Sequence, residues 1–405
     1  MPNWLICSGD AKGAVFPAGV TRWGHICGSL YADGTEAKMQ HIARGTYTLS
    51  RLYVRVLANA SAADSTVRSR KNIGNGNQSV TIGAGATGVF TDDVNSDGLV
   101  DGDAFNNAVV VGAGGSLTLA LISYMLASPS NIPIHSSNNS TSVQTAFGVI
   151  RSSVINGEWY NLSTVWPYTV REAITFSNLR TYIQNNTLNG QTLYNLRING
   201  VAGAQTLTIP AATTGVFEDV VNTDAVVAGN TVSTHSDSTA AGAGTIGPSA
   251  VQVKATTAGR LVIAGSSRDE QYLGGTTWFF AVEGSSQREI AAEVSSQTLA
   301  RTPFTARNIF FSLWTNTLIA GSTVSLRKNG ASVISVTVPA LTAGVFENLV
   351  DTSDFLATDL INWIQAWGGV ANNVLRPSHM GFQLDQPVAL ASGSVVPLAV
   401  GSGMV

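Results

Sequence analysis

Asp93-Val94-Asn95-Ser96-Asp97-Gly98 is the stretch of this sequence whose residue types and spacing best fit a defined chemistry. It matches the first half of a calcium-binding loop, where hard oxygen ligands stand at alternate positions and a glycine permits the sharp turn. Asp93, Asn95 and Asp97 are therefore the candidate Ca²⁺ ligands, with Asp101 and Asp103 as further carboxylates nearby. Against a metal stands Ala104, which occupies the place of the closing bidentate glutamate, and the absence of helical periodicity on either side. The remaining chemistry-bearing residues are dispersed. His25, His41, His135, His235 and His379 show no metal-ligand spacing, and no nucleophile elbow or triad order occurs. Glu218-Asp219 and Glu347 could serve a glycosidase pair only if the fold brought two carboxylates together. The expectation is a protein that is not an enzyme, has no catalytic residues, and has calcium as its single cofactor candidate.

The elements that carry these residues come from a repeat. Arg70-Lys71-Asn72 precedes a β-run, a turn of small residues and Gly88-Val89-Phe90. The same unit returns as Arg197-Ile198-Asn199-Gly200 with Gly215-Val216-Phe217, and as Arg327-Lys328-Asn329-Gly330 with Gly344-Val345-Phe346. Further anchors hold the register: Arg44, Arg171 and Arg301, then Asn59, Asn186 and Asn316, and after each Phe the polar residue Asp103, Asn230 or Asp359. Short β-runs from Asn3, Asn131 and Arg260 open each copy, and one from Val395 reads as a closing strand. The modules are set at residues 1–130, 131–259 and 260–405.

Within a copy the apolar period is two, as for half-buried strands: Ile334, Val336 and Val338 alternate with Ser335 and Thr337. Asn-Gly and Asp-Gly pairs supply the turns. The nearest helical candidate, Arg288 to Ser296, is short. About eight short strands per copy fit an all-β fold of three tandem antiparallel jelly-roll sandwiches. Phe90, Phe217 and Phe346 are expected to plug one core each. The register also weakens the calcium reading. Asp93 becomes Val220 and Leu349 in the other copies, whereas Asn95 keeps polar equivalents in Asn222 and Asp351, as an Asx-type turn requires. Trp363 and Trp367, four apart, would share one strand face, either in a core or on a partner-docking or sugar-stacking surface.

Composition narrows the function classes. Charged residues are 12% of the 405, the formal net charge is −3, and no Lys/Arg block offers an electrostatic footprint for nucleic acid. The first ten residues lack the basic start of a signal peptide, so synthesis in a cytoplasm without export is expected. The longest apolar stretch, Leu117 to Ala127, is strand-sized, too short for a membrane helix. Cys7 and Cys27 are the two cysteines, read as buried free thiols or as one pair.

These residues resemble a recurring jelly-roll module of the TNF/C1q type found in phage virion-surface and spore-surface proteins. The family pattern joins R-K-N-G, a strand ending in P-A, then T-G-V-F-E-D and a stretch like V-N-T-D-A-V-V-A-G-N. The second copy carries it best, through Ile209-Pro210-Ala211, Thr214 to Asp219 and Asn222 to Asn230. The third keeps Val338-Pro339-Ala340 but departs at Ala343 and Asn348, and the first has Gly83-Ala84 and Thr91 in place of Pro-Ala and Glu. The resemblance implies a virion-surface protein, with the three copies forming a covalent pseudo-trimer or beads on a string. It implies a capsid decoration (cement) protein docking on a major capsid protein or other virion proteins, or else a tail-fibre protein binding host glycans. Neither reading involves nucleic acid or a membrane.

Overall fold

The computed structural model describes residues 3–26, 28–30, 32–127, 131–137, 143–144, 148–150, 168–237, 244–257, 260–267, 272–282, 284–286, 292–370 and 373–385. The strand expected from Val395, residues 288–291 of the helical candidate and the Cys7 and Cys27 side chains lie outside what is described. The described residues are β-structure apart from turns and two short 3-10 turns, Glu36–Met39 and Glu293–Ser295. The repeat is realised as eight principal strands taken three times, so equivalent strands differ by eight in number.

The first set is β1 (Asn3–Pro17), β2 (Thr21–Gly24), β3 (Tyr47–Asn59), β4 (Ser65–Lys71), β5 (Gly74–Ile82), β6 (Gly88–Leu99), β7 (Ala104–Val110) and β8 (Ser116–Ala127). The second is β9 (Asn131–Ser137), β10 (Gly148–Ile150), β11 (Ile174–Asn186), β12 (Thr192–Ile198), β13 (Val201–Ile209), β14 (Gly215–Val226), β15 (Thr231–Asp237) and β16 (Thr245–Thr257). The third is β17 (Arg260–Ser267), β18 (Thr277–Phe280), β19 (Phe304–Asn316), β20 (Ser322–Lys328), β21 (Ala331–Val338), β22 (Gly344–Phe355), β23 (Leu360–Ala366) and β24 (Val374–Asp385). In the first set, one sheet runs β1-β8-β3-β6 and the facing sheet β2-β7-β4-β5. This is the jelly-roll order, produced when a long antiparallel hairpin wraps so that its successive arms alternate between two sheets. The other sets repeat it as β9-β16-β11-β14 over β10-β15-β12-β13 and β17-β24-β19-β22 over β18-β23-β20-β21. The chain is thus all-β, three tandem jelly-roll sandwiches, as the repeat predicts.

Local chemistry explains why the register anchors recur. Asn72, Asn199 and Asn329 turn the β4–β5 hairpin and its equivalents with φ of 48°, 50° and 51°, a left-handed conformation that Asn tolerates. Each side chain also reaches the following crossover. Asn72 Nδ2 donates to Asp103 Oδ1 at 2.6 Å while its Oδ1 accepts from Ala104 N at 2.8 Å. Asn199 pairs likewise with Asn230 and Thr231, and Asn329 with Asp359 and Leu360. Asn59, Asn186 and Asn316 staple the turn before the GVF strand. Asn316 Nδ2 donates to the carbonyls of Pro339 and Thr342, both at 3.0 Å, and its Oδ1 accepts from Leu318 N at 2.9 Å. The small residues of that turn leave its carbonyls open to this one side chain.

The strand Ser116–Ala127 is buried continuously from Leu119 to Leu126, so both of its faces are covered. Its buried residues belong to a cluster that continues from the first sandwich into the third. Buried apolar residues of the first and third sandwiches merge into one cluster, and Phe310 of the third joins a cluster of the second. The near-uniform apolar run is therefore the signature of a central strand with two dry faces.

Replacing Asn316 by Ala removes two bonds to turn carbonyls and orphans the Leu318 amide. The expected cost is about 2 kcal/mol, read as a lowered urea midpoint, with Asn186→Ala behaving alike. An unchanged midpoint would show that water replaces the staple.

Candidate functional site

The three calcium candidates are led apart by the fold. Asn95 Nδ2 donates to the Asp92 carboxylate at 2.9 Å, closing an Asx turn in which Asp92 Oδ1 also accepts from Val94 N and Asn95 N. Asp97 turns into the sandwich, accepting from Asn77 N at 2.6 Å and Ser69 Oγ at 2.5 Å. Its carboxylate fills the space beside Gly76, where a Cβ would stand 2.8 Å from Oδ2. Asp93 points the other way, to Arg301 of the third copy, at 2.6 Å. Among the described residues no group of three His, Cys, Asp or Glu is placed to hold a metal ion. The Asx turn recurs as Asp219 with Asn222, and as Asn348 with Asp351, where acid and amide have exchanged places.

The contact that Asp93 makes belongs to the principal site. Arg44 of the first copy pairs with Glu218 of the second, Arg171 of the second with Glu347 of the third, and Arg301 of the third with Asp93 of the first. These are the register-equivalent arginines, each at the entry to the strand Tyr47–Asn59 or its counterpart. Glu218 and Glu347 follow Phe217 and Phe346 directly; in the first copy Thr91 takes that place and Asp93 supplies the carboxylate. Three equivalent head-to-tail contacts that return to their origin define a closed ring with pseudo-threefold symmetry.

Arg171 and Arg301 also cover a ring at one equivalent position of the next copy, Phe310 and Tyr53; the residue at that position in the second copy is Arg180. Arg171 stands over the Phe310 ring at 5.8 Å and Arg301 over the Tyr53 ring at 5.9 Å, both within cation–π range. All three of these positions are buried. Arg301 Nη2 further donates to the Arg51 carbonyl at 2.8 Å, and Arg51 returns a bond to the Arg301 carbonyl. The interface between the first and second copies differs, since Arg44 meets another cation. Burial lowers the Arg180 pKa from its ordinary value, Glu218 opposes this, and Arg44 adds to it. That interface gains a second link: Gln252 Oε1 accepts from Ile42 N at 3.1 Å and its amide donates to the Ile42 carbonyl.

Next to Ile42 lies a buried polar pair. His25 Nδ1 and His41 Nε2 are 3.2 Å apart, His41 packs on Phe105, and the His25 carbonyl accepts from Asn107 Nδ2 at 2.9 Å. Burial pulls the His25 pKa down to about 4, against a smaller upward pull from a backbone bond at Met39.

The aromatic candidates sit inside. Trp363 and Trp367 do share a strand face, but it is the inner face of the third sandwich, so the partner-surface reading is corrected. Trp363 is fully buried with Phe382 edge-on at 6.0 Å, and Trp367 is 4% exposed against Phe311 at 5.8 Å. Phe90, Phe217 and Phe346 pack against the cores but are only half-buried, because the GVF strand is a sheet edge; they flank the cores rather than plug them. Deeper positions are held by Tyr47, Phe105, Phe176 and Phe311. The inter-copy ring escaped the sequence reading, although its arginines were already visible as register anchors.

No family model matches the chain, and no curated protein matches it. Among solved structures it is similar to a chain from the triple jelly roll fold and turret assembly of an archaeal virus: 13% identity, 94% of this chain and 91% of that one covered, TM-score 0.20. It is also similar to a chain from the atomic structure of Sulfolobus Turreted Icosahedral Virus, with 12% identity, coverage of 85% and 81%, and a TM-score of 0.17. The jelly-roll assignment rests on this chain's own strand order.

The ring makes two predictions. Arg171→Glu should destabilise the chain and Arg171→Glu with Glu347→Arg should recover part of the loss. The coupling should be about 1–2 kcal/mol, between the values for exposed and fully buried pairs, measured by a double-mutant cycle in urea. The pH dependence follows from His25. Its folded value lies below the unfolded 6.5, so its contribution is complete above pH 6.5 and is lost as pH falls towards 4. His25→Gln should flatten that part of the stability profile; an unaltered slope between pH 6.5 and 4 would exclude His25 as its source.

Proposed function

We propose that this chain is a non-enzymatic structural protein of a virion surface, a capsid decoration (cement) protein that bridges subunits of the outer shell. The observation that carries the reading is the closed ring of Arg44–Glu218, Arg171–Glu347 and Arg301–Asp93 pairs. It supports reading the three modules, set at residues 1–130, 131–259 and 260–405, as one covalent pseudo-trimer rather than beads on a string. A rigid body with three similar but unequal faces is suited to touching several neighbours at once, where many weak contacts add to stable attachment. The family resemblance supplies the virion setting.

The second reading, a tail-fibre protein recognising host glycans, would need an exposed stacking surface. The tryptophans that suggested one are buried, so the decoration reading is preferred.

Light scattering of the purified chain should give a compact monomer near 42.2 kDa; a trimer of chains would overturn the pseudo-trimer. Immunogold labelling of virions should decorate the capsid face, and particles lacking the protein should release their genome at lower temperature. Label at the tail tip alone would sink the decoration reading in favour of the fibre.

A further inference from the structure

At the seam between the first and second modules the buried charges do not balance. In the second sandwich β14, β11 and β16 lie side by side, and Glu218, Arg180 and Gln252 stand opposite one another in one row across them. Residues directly opposite in a sheet point to the same face. Both ends of this row are bonded across the seam to the first module. Glu218 takes Arg44, and Gln252 takes the amide and the carbonyl of Ile42. Arg180, in the middle, is 4% exposed. Its Nε is shut off from solvent without an acceptor, and no described residue forms an ion pair with it.

The fold does not require a cation here. Phe310 and Tyr53 fill the equivalent place under Arg171 and Arg301, and Arg51, near Arg301, is exposed and keeps its charge in water. Glu218 is left as one carboxylate for two guanidinium groups, Arg44 and Arg180, a surplus of one positive charge. Burial works against the charged form of Arg180 and so does Arg44, while Glu218 supports it. A guanidinium does not shed its proton in a protein, so the charge has to be met. The sheet offers nothing further: β11 and β16 contain Arg180 and Lys254 and no acidic residue. Two features set the class of anion. The surplus is a single charge, and Glu218 alongside repels a second one. The fork of N–H groups on a guanidinium matches two oxygens held in a plane. Arg44 and Glu218 are themselves part-exposed, so turning their side chains opens a way in for a small ion.

We propose that Arg180 and Arg44 hold one small monovalent oxyanion, of the carboxylate, bicarbonate or nitrate kind, in the seam between the first and second modules. The ion accepts from Arg180, offsets the repulsion between the two guanidinium groups and leaves Glu218 to Arg44. It thereby does for this seam what an aromatic ring does for the other two. The site belongs to the chain itself and does not depend on where the protein sits on a virion.

The test titrates the purified chain with sodium formate, at an ionic strength held constant with sodium chloride, and follows binding heat and the urea midpoint. Wild type should bind one formate per chain, and its midpoint should rise with formate concentration. Arg180→Phe and Arg180→Tyr place here the residue types that the third and first modules use, so both should fold. Neither should bind formate, and their midpoints should stay flat. In chloride alone each should be more stable than wild type, because a buried charge without a partner has gone. Arg44→Gln frees Glu218 for Arg180, removes the surplus and should abolish binding. Three results would overturn the assignment. Wild type could show neither heat nor a shifted midpoint. Arg180→Phe could respond to formate as wild type does, which would put the ion elsewhere. Both Arg180 variants could be less stable than wild type in chloride, which would mean that a carboxylate of the chain already meets this guanidinium.

Discussion

The guanidinium of one module lying on a ring or side chain of the next, with its charge met by a carboxylate of that same neighbour, is the contact on which the rest of this molecule depends. It is made by Arg44, Arg171 and Arg301, and it closes. A planar cation suits the place because it can stack over Phe310 or Tyr53 and still present N–H groups sideways to an acid. Its removal would leave a carboxylate of the neighbouring module without its partner. The continuous burial of the central strand in the first sandwich goes with the same docking, since its residues belong to the cluster that the first and third modules share.

The ring tolerates variation at the acceptor, and this is where the copies have diverged. Glu218 and Glu347 use the position after the shared Phe, whereas the first module reaches Arg301 from Asp93. The covered position is aromatic in two modules and Arg180 in the second, where Gln252 adds a pair of bonds to the Ile42 backbone. Inside the sandwiches the divergence runs similarly. Gln78 and Gln205 each accept from a buried amide, Leu52 N and Leu179 N, and lean on Asp97 and Asp224. The third module replaces this with Ile334, which needs no partner. A satisfied polar network and an apolar residue are interchangeable solutions to the same volume, provided no polar atom is stranded.

Asn72, Asn59 and Asp103, with their equivalents, were legible as positions in a repeat, and the Asx turn was legible as the plain explanation of the calcium-like loop. Their specific bonds were not. The carbonyls of Pro339 and Thr342 come within reach of Asn316 only after two strands have turned back. The acceptor of Arg44 lies 174 residues away, and the acceptor of Arg301, Asp93 in the first module, stands outside the register that would have revealed it. Trp363 and Trp367 show the limit most clearly. Period-two spacing says that two side chains share a face, but whether that face meets a core or water depends on which sheet lies opposite.

By itself, then, the sequence determined what depends on local chemistry and on periodicity: strands from alternation, hairpins from Asn and Gly, three copies from recurring anchors, and the jelly roll that such strands build. Tertiary structure alone decided which arginine meets which carboxylate and where the aromatic residues are buried. Those outcomes depend on distances between residues far apart in the chain, and such distances exist only once the sandwiches have closed and docked.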